Sequence, residues 1–311
     1  MRITNNMITN GFLKNLNTNL SSLTGYQQEV STGRSLTSIS DDPSRLISSM
    51  QARSRLGKIS QYQSTLNAAV TWLDQTDSSL SQLNDVLTKA YETAVQASND
   101  VLTQDERKSL AEYIAQLRDQ VLTIANNQSS DKYIFGGYNV NKQPFTVDED
   151  GNILYNGLDL TDDTNPELIA MGSQSIGYQV GYNTVLGVSV TGTELLGTGK
   201  DNIYTVLDDL YKTLSGGAGG PDIDGYITKI QRCQSRVHTV QGRIGGLTNR
   251  LEMLQEIYAQ QSNTYTKQKS EAEDADIAEV YTKYSAARTV YDAALQVGTQ
   301  ILQCSILDYL K

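Results

Sequence analysis

The sequence predicts a mainly α-helical protein with a small inserted β domain, in which long antiparallel helical rods carry N- and C-terminal helices that pair as a coiled coil. Three observations predict it. Apolar residues recur at 3-4 spacing over both ends, and the run from Pro43 to about Ser98 has no further Pro and one Gly, Gly57. Only from Tyr133 to about Lys200 does the pattern change to short apolar runs separated by Gly, Asn and Asp.

At the N-terminus Leu13, Leu16, Leu20, Leu23 and Val30 share a stripe, with Gln27 filling the skipped position. At the C-terminus Ile277, Val280, Tyr284, Ala287, Tyr291, Ala294, Gly298 and Ile301 keep the same alternation. Both stripes are coiled-coil seams without a partner inside their own segment. A lone amphipathic helix of this length is marginal in water. These residues are therefore the candidate assembly interface, pairing with each other or with further copies.

Between the seams, Ser40-Asp41-Asp42-Pro43 starts a helix, because polar side chains accept from the orphan N–H groups and Pro at the first position presets φ. Leu56, Ile59, Leu66, Val70, Leu73, Leu80 and Leu87 keep one face of that helix apolar, over roughly 80 Å at about 1.5 Å per residue. A capping box, Thr103-Gln104-Asp105-Glu106, opens the next helix through Leu110, Ile114, Leu117, Val121 and Ile124, ending near Asn126-Asn127 as an antiparallel hairpin with the rod. Gln143 to Val147, the turn Asp150-Gly151-Asn152 and Ile153 to Tyr155 read as a β-hairpin. Tyr178 to Val180 and Val185 to Val190 read as further strands. Helical spacing returns at Ile203, Leu207, Leu210 and Leu214, breaks at Ser215 to Pro221, and resumes through Ile230, Val237, Ile244, Leu251 and Tyr258. The expected domains are 1–40 with 272–311 for polymerisation, 41–137 with 202–271 for the rod, and 138–201 for the outer β-rich insert.

A net charge of -10 argues against nucleic acid or an anionic membrane as partner, since phosphate binding needs clustered cations. Residues 141–209 hold eleven acids against Lys142 and Lys200, nearly the whole excess. No run of apolar residues is long enough to cross a membrane. The polar Met1 to Met7 lacks the apolar core of a Sec signal, so the chain is expected to stay in the cytoplasm or leave by another route.

Chemistry finds little to stand on. His238 is the single histidine and lies in a helical run, where it reads as a surface or interface residue. Asp148-Glu149-Asp150-Gly151-Asn152 misplaces its Gly for a calcium loop and has no Glu at the twelfth position. Gly197-Thr198-Gly199-Lys200 and Gly216 to Gly220 lack phosphate-loop spacing. Cys233 and Cys304 are too few for a metal knuckle, and Cys304 has no neighbouring cation to activate it. The expectation is no catalytic residue, no metal and no cofactor. Eighteen Tyr against three Phe, with Tyr281, Tyr284 and Tyr291 along the C-terminal seam, suit surfaces that are apolar on one side and wet on the other.

Met1 to Met7, Gln28-Glu29-Val30-Ser31-Thr32-Gly33-Arg34 and Ser40 to Pro43 resemble the N-terminal half of the bacterial flagellin superfamily. Arg243 to Glu252 and Asp274-Ala275-Asp276-Ile277-Ala278 resemble its C-terminal half. Tyr133-Ile134-Phe135-Gly136-Gly137-Tyr138, then Gln143-Pro144-Phe145, and the ending Ser305 to Leu310 are similar to the branch that joins hook to filament. The resemblance implies a non-enzymatic axial component of the flagellum, exported unfolded by the flagellar type III system. It implies terminal helices forming an inner wall, rods a second layer and the insert an outer surface. The implied partners are further copies of itself, hook-associated protein 1, flagellin and an export chaperone on the C-terminal helices. Two cysteines depart from the usual scarcity in such proteins. The competing readings are a filament-forming flagellin, and a glycan-active protein or adhesin with a pocket in 138–205 using Asp162 or Asp163.

Overall fold

The computed structural model describes residues 5–36, 42–99, 102–149, 151–216 and 221–309. Side chains from 300 onward lie outside that description, and with them Ile301 and Cys304; so do Met1 to Thr4, Ser40, Asp41, Asp150 and Gly217 to Gly220. The chain divides into two compact units, 1–59 with 259–311, and 60–258.

Helices α1 (Asn5–Thr32), α2 (Pro43–Ala97), α3 (Gln104–Ala125), α6 (Ile203–Ser215), α7 (Pro221–Glu273) and α8 (Ile277–Tyr309) make up most of the protein, with α2 and α7 each contributing residues to both units. Short elements fill residues 128–201: strands β1 (Gln128–Ser129), β2 (Lys132–Tyr133), β3 (Phe145–Val147), β4 (Ile153–Tyr155) and β5 (Leu158–Asp159), helix α4 (Pro166–Gly172), strands β6 (Gly177–Gly181) and β7 (Thr184–Gly187), and helix α5 (Gly192–Leu196). The protein is mainly α with a small β region, as the periodicity requires.

Residues 60–258 form a helical bundle with the β-rich insert packed on it. The buried positions of α2 include Leu66, Ala69, Leu73, Thr76, Leu80, Leu83, Leu87, Ala90, Ala94 and Ala97, an unbroken 3-4 alternation. On α7 Ile230, Cys233, Val237, Val240 and Ile244 do the same, with Ile223 and Leu251 one heptad beyond either end. Such a repeat keeps one seam facing its partner for many turns. Gln241 donates to Asp77 at 3.0 Å, Gln234 to Thr88 at 3.3 Å and Gln255 to Asn67 at 2.8 Å, so α7 runs antiparallel to α2 in a single register. Helix α3 starts where predicted, with Thr103 accepting from the N–H of Glu106 and Glu106 accepting from the N–H of Thr103. It lies against α6, where Arg118 donates to Asp208 at 2.5 Å and faces the rings of Tyr204 and Tyr211.

The Tyr133 to Tyr138 motif anchors the insert. Ile134 and Phe135 are buried, and Gly137 turns the chain at φ +64°. Asn126, at the end of α3, exchanges two hydrogen bonds with the backbone of Phe145 (3.0 and 3.1 Å). Buried Tyr155 donates to the carbonyl of Phe135 at 3.0 Å. The hairpin β3–β4 pairs Phe145 with Tyr155 and Val147 with Ile153, starting at Phe145 and not at Gln143, and β5 adds a third strand. The Asp148 to Asn152 turn closes through Gly151 at φ +83°, whose N–H donates to the carbonyl of Asp148 at 2.9 Å.

Val185 to Val190 is not a six-residue strand. β7 ends at Gly187, and Val188, Ser189 and Val190 are buried in extended chain leading to α5. Beyond β7 the N–H of Val188 donates to the carbonyl of Ile176 at 3.1 Å, and the Ser189 hydroxyl accepts from the N–H of Ile176 at 2.7 Å. Helices α4 and α5 are too short for periodicity to reveal. Their caps, Asn165 and the Thr191 to Glu194 capping box, were the available signal.

Candidate assembly surface

In the unit formed by 1–59 and 259–311, α1 and α8 run antiparallel as one pair. Helix α1 carries only Lys14 and Glu29 as charges, and residues 284–307 carry only Arg288 and Asp292. On α8 the predicted seam is the covered face: Val280 and Gly298 are buried, and Tyr284, Ala287, Tyr291 and Ala294 are half-buried. Ile277 at the seam's start is 48% exposed.

On α1 the covered stripe differs from the predicted one. Phe12, Leu16, Asn19, Leu23, Tyr26 and Val30 are half-buried at 3-4 spacing. Leu13 and Leu20 lie outside that stripe, 47% and 40% exposed. Phe12 and Tyr26 are the residues the sequence reading passed over. The leucines outweighed them because spacing alone gives two overlapping stripes, 12-16-19-23-26-30 and 13-16-20-23-30, which share Leu16, Leu23 and Val30. Gly298 decides between them: a Cβ there would lie 2.8 Å from Cε1 of Phe12, so the ring occupies the space a side chain would fill. The pair therefore takes Leu16, Leu23 and Val30 inward and leaves Leu13, Leu20, Ile277, Tyr281, Val290, Leu295 and Val297 in solvent.

The two helices end together. Gly33, at φ +68°, closes α1 with its N–H donating to the carbonyl of Glu29 at 2.8 Å. Asp276 caps α8 by accepting from the N–H groups of Ala278 (3.0 Å) and Glu279 (3.3 Å). Between these ends the N–H of Ser35 donates to the carbonyl of Glu273 at 2.8 Å, and that of Ala275 to the carbonyl of Gly33 at 3.0 Å. The Glu273 side chain is 3% exposed. Arg53 donates to its two oxygens through Nε (2.5 Å) and Nη2 (2.6 Å), Ser49 donates to Oε1, and Arg34 Nε lies 3.8 Å away. The hydrogen bonds from Arg53 hold the Glu273 carboxyl down at about 2, against the opposing effect of burial. Glu273 escapes periodicity, because it looks like one more charge at the end of a polar helix.

Beside this joint, a cleft of about 390 Å³ is lined by Arg45, Arg55, Tyr265 and Glu271, with the Arg55 guanidinium 5.6 Å from the Tyr265 ring centre. In the insert a depression of about 300 Å³ is lined by Tyr138, Asn139, Asn156, Met171 and Gln174. It includes neither Asp162 nor Asp163. Asp162 is exposed and accepts from the N–H and hydroxyl of Thr164 (3.1 and 2.7 Å), which holds its carboxyl below the usual range. His238 is exposed on α7, and burial pushes the Cys233 thiol up to about 11. Among the described residues no cluster of three His, Cys, Asp or Glu could hold a metal ion, and no helix is long and apolar enough to cross a membrane.

Residues 3–140 match the bacterial flagellin N-terminal helical region, and residues 223–310 match the bacterial flagellin C-terminal helical region. The chain belongs to the bacterial flagellin family. Its relatives within that family include flagellar hook-associated protein 3 of Escherichia coli (strain K12), 26% identical over 92% of each chain. Among solved structures it shares the fold of a flagellar hook-associated protein from Vibrio parahaemolyticus (TM-score 0.65, 19% identity, 75% of this chain and 100% of that one). It likewise shares the fold of the flagellar junction protein FlgL from Legionella pneumophila (TM-score 0.60, 15% identity, 73% and 100%). Like these flagellin-family relatives it is a structural component of the bacterial flagellum, and the low-charge pair α1–α8 lies within the segments that carry the family match.

Proposed function

We propose that this protein is a hook-filament junction subunit, joining the hook, through hook-associated protein 1, to the flagellin filament by self-assembly of its terminal helices, without bond-breaking chemistry. The observation that carries the reading is the apolar outer side of the α1–α8 pair. Large apolar side chains clustered on one exposed surface mark an interaction site, and Leu13, Leu20, Ile277, Tyr281, Val290, Leu295 and Val297 remain in solvent after α1 and α8 have paired. Further copies cover them. Head-to-tail contacts between such copies need not close into a dimer and so build a tube.

In this reading 1–40 with 272–311 is the polymerisation domain, 41–137 with 202–271 the rod, and 138–201 the outer insert. The assembly interface comprises Leu13, Leu16, Leu20, Leu23, Val30, Ile277, Val280, Tyr284, Ala287, Tyr291, Ala294, Gly298 and Ile301, some inside the pair and some between copies. The chain travels through the flagellar type III system with an export chaperone, and its place is outside the cell. Flagellin that fails to attach is lost to the medium.

The test is a strain deleted for this protein and complemented with the wild type or with Leu20→Asp. The wild type is expected to restore filaments and to label as a thin zone between hook and filament in immunogold electron microscopy; Leu20→Asp is expected to release flagellin instead. Labelling along the whole filament would assign the protein as a filament subunit, and full motility of Leu20→Asp would remove the terminal surface from the mechanism.

A further inference from the structure

We propose that Glu273 is the positioning residue of the terminal helix pair: its carboxylate, gripped by Arg53, Ser49 and Arg34, locks the chain break after α1 beside the break before α8, so that the two helices meet in one register. The proposal deepens the assembly reading above, on which it rests for its consequence, by naming what orients the surface that assembles.

The geometry argues for it in three steps. Antiparallel helices with stripes of similar apolar residues can slide past one another by a heptad at modest loss, because a 3-4 pattern repeats. Something non-repeating must therefore choose the register. The joint is non-repeating: the amides of Ser35 and Ala275 bond across it, and Arg34 pairs with Asp274 as an isolated antiparallel bridge. Residues 33 and 275 are more than two hundred positions apart in the chain, so their alignment is set by tertiary contacts at the joint and not by local sequence.

Glu273 ties both breaks to a third element. Its backbone carbonyl takes the N–H and hydroxyl of Ser35, while its side chain reaches Arg53 and Ser49 on α2 and approaches Arg34. Arg45 adds a second tie, donating to the Ser35 hydroxyl (3.2 Å) and the carbonyl of Glu271 (3.3 Å). An apolar residue at 273 would bury as well but would have no directional demand. A buried charge left without its partners is heavily penalised, so the side chain tolerates one arrangement; fixing register is the best-attested use of such groups. The contact it controls is Phe12 against Gly298, far along the pair at about 32 Å from Gly33 by helical rise.

The experiment uses the full chain with Cys233 and Cys304 replaced by Ser, and a disulfide trap made by Phe12→Cys with Gly298→Cys. A second trap, Phe12→Cys with Tyr291→Cys, reports a register shifted by one heptad. With Glu273 intact the first trap should close and the second should not. Glu273→Ala should lower the yield of the first trap at least tenfold and raise that of the second, Glu273→Asp should recover part of it, and the melting of residues 60–258 should not move. An unchanged first trap in Glu273→Ala would overturn the proposal, as would an open first trap with Glu273 intact. Loss of the trap together with normal filament attachment would leave the positioning role in place and refute the assembly reading instead.

Discussion

Replacing Leu13 and Leu20 together by Ser separates pairing within the chain from association between chains. The two side chains retain 47% and 40% of their exposure once α1 and α8 are paired, so that fraction of their burial remains for a neighbour to supply. Full burial of a Leu is worth roughly 1.5 to 3 kcal/mol, so the remaining parts come to about 0.7–1.4 and about 0.6–1.2 kcal/mol. Their sum, about 1.3 to 2.6 kcal/mol, corresponds to a weakening of association by roughly 9- to 70-fold at a factor of ten per 1.4 kcal/mol. The assay is the critical concentration for polymerisation, measured by sedimentation, with helicity followed by circular dichroism. The double variant should raise the critical concentration by that factor at unchanged monomer helicity. Leu16→Ser with Leu23→Ser, on the covered stripe, should reduce helicity as well. An unchanged critical concentration in the first variant would refute the assignment of the exposed stripe to an intermolecular contact.

Acid should loosen the joint through Glu273. Its folded-state value is about 2 against an ordinary 4.5, so its stabilising contribution is complete above 4.5 and lost as pH falls from there through about 2; hydrogen exchange at Ser35 and Ala275 should show that window, and Glu273→Gln should flatten it. Identical acid profiles for the two proteins would count against the ion pair. Gly298→Ala should destabilise the pair by about 1 to 3 kcal/mol of overpacking, partly offset by about 1 kcal/mol of helix propensity. With Phe12→Ala present the same change should become stabilising, and additive effects in that double-mutant cycle would show that the ring and the glycine do not meet. Cys233, buried in the α7 seam and pushed up to about 11, should resist iodoacetamide at pH 8 until denaturant is added; rapid labelling of the native chain at that position would contradict its burial.

Much of the fold was legible because its information is local and repetitive. The α2 seam, the capping box at Thr103 and the hairpin turn at Gly151 depend on residues within a few positions of one another, and each occurs where the spacing puts it. β7 was harder: Val185 to Val190 has strand composition throughout, yet the ladder stops at Gly187, and beyond it the backbone N–H of Ile176 donates to the Ser189 hydroxyl, a partner that composition does not reveal. The candidate surface divided in the same way. The α8 stripe was legible because 280, 284, 287, 291, 294 and 298 keep the 3-4 spacing without a charged residue among them. The α1 stripe was ambiguous, because leucines at 13 and 20 and aromatics at 12 and 26 present two seams with shared members.

By itself the sequence determined that both ends are helices with apolar stripes, and that a helical rod and a β-rich insert separate them. Periodicity and composition suffice for that, since they record what each residue's neighbours on its own helix must be. Only the tertiary structure decided which stripe of α1 is used inside the chain and which is left over, because that depends on Phe12 filling the space at Gly298. It alone also brought Arg53, Ser49 and Arg34 to Glu273, residues separated by more than two hundred positions from the carboxylate they grip. A charge on a helix carries no mark of the partner it will meet. That meeting is fixed when the chain closes on itself.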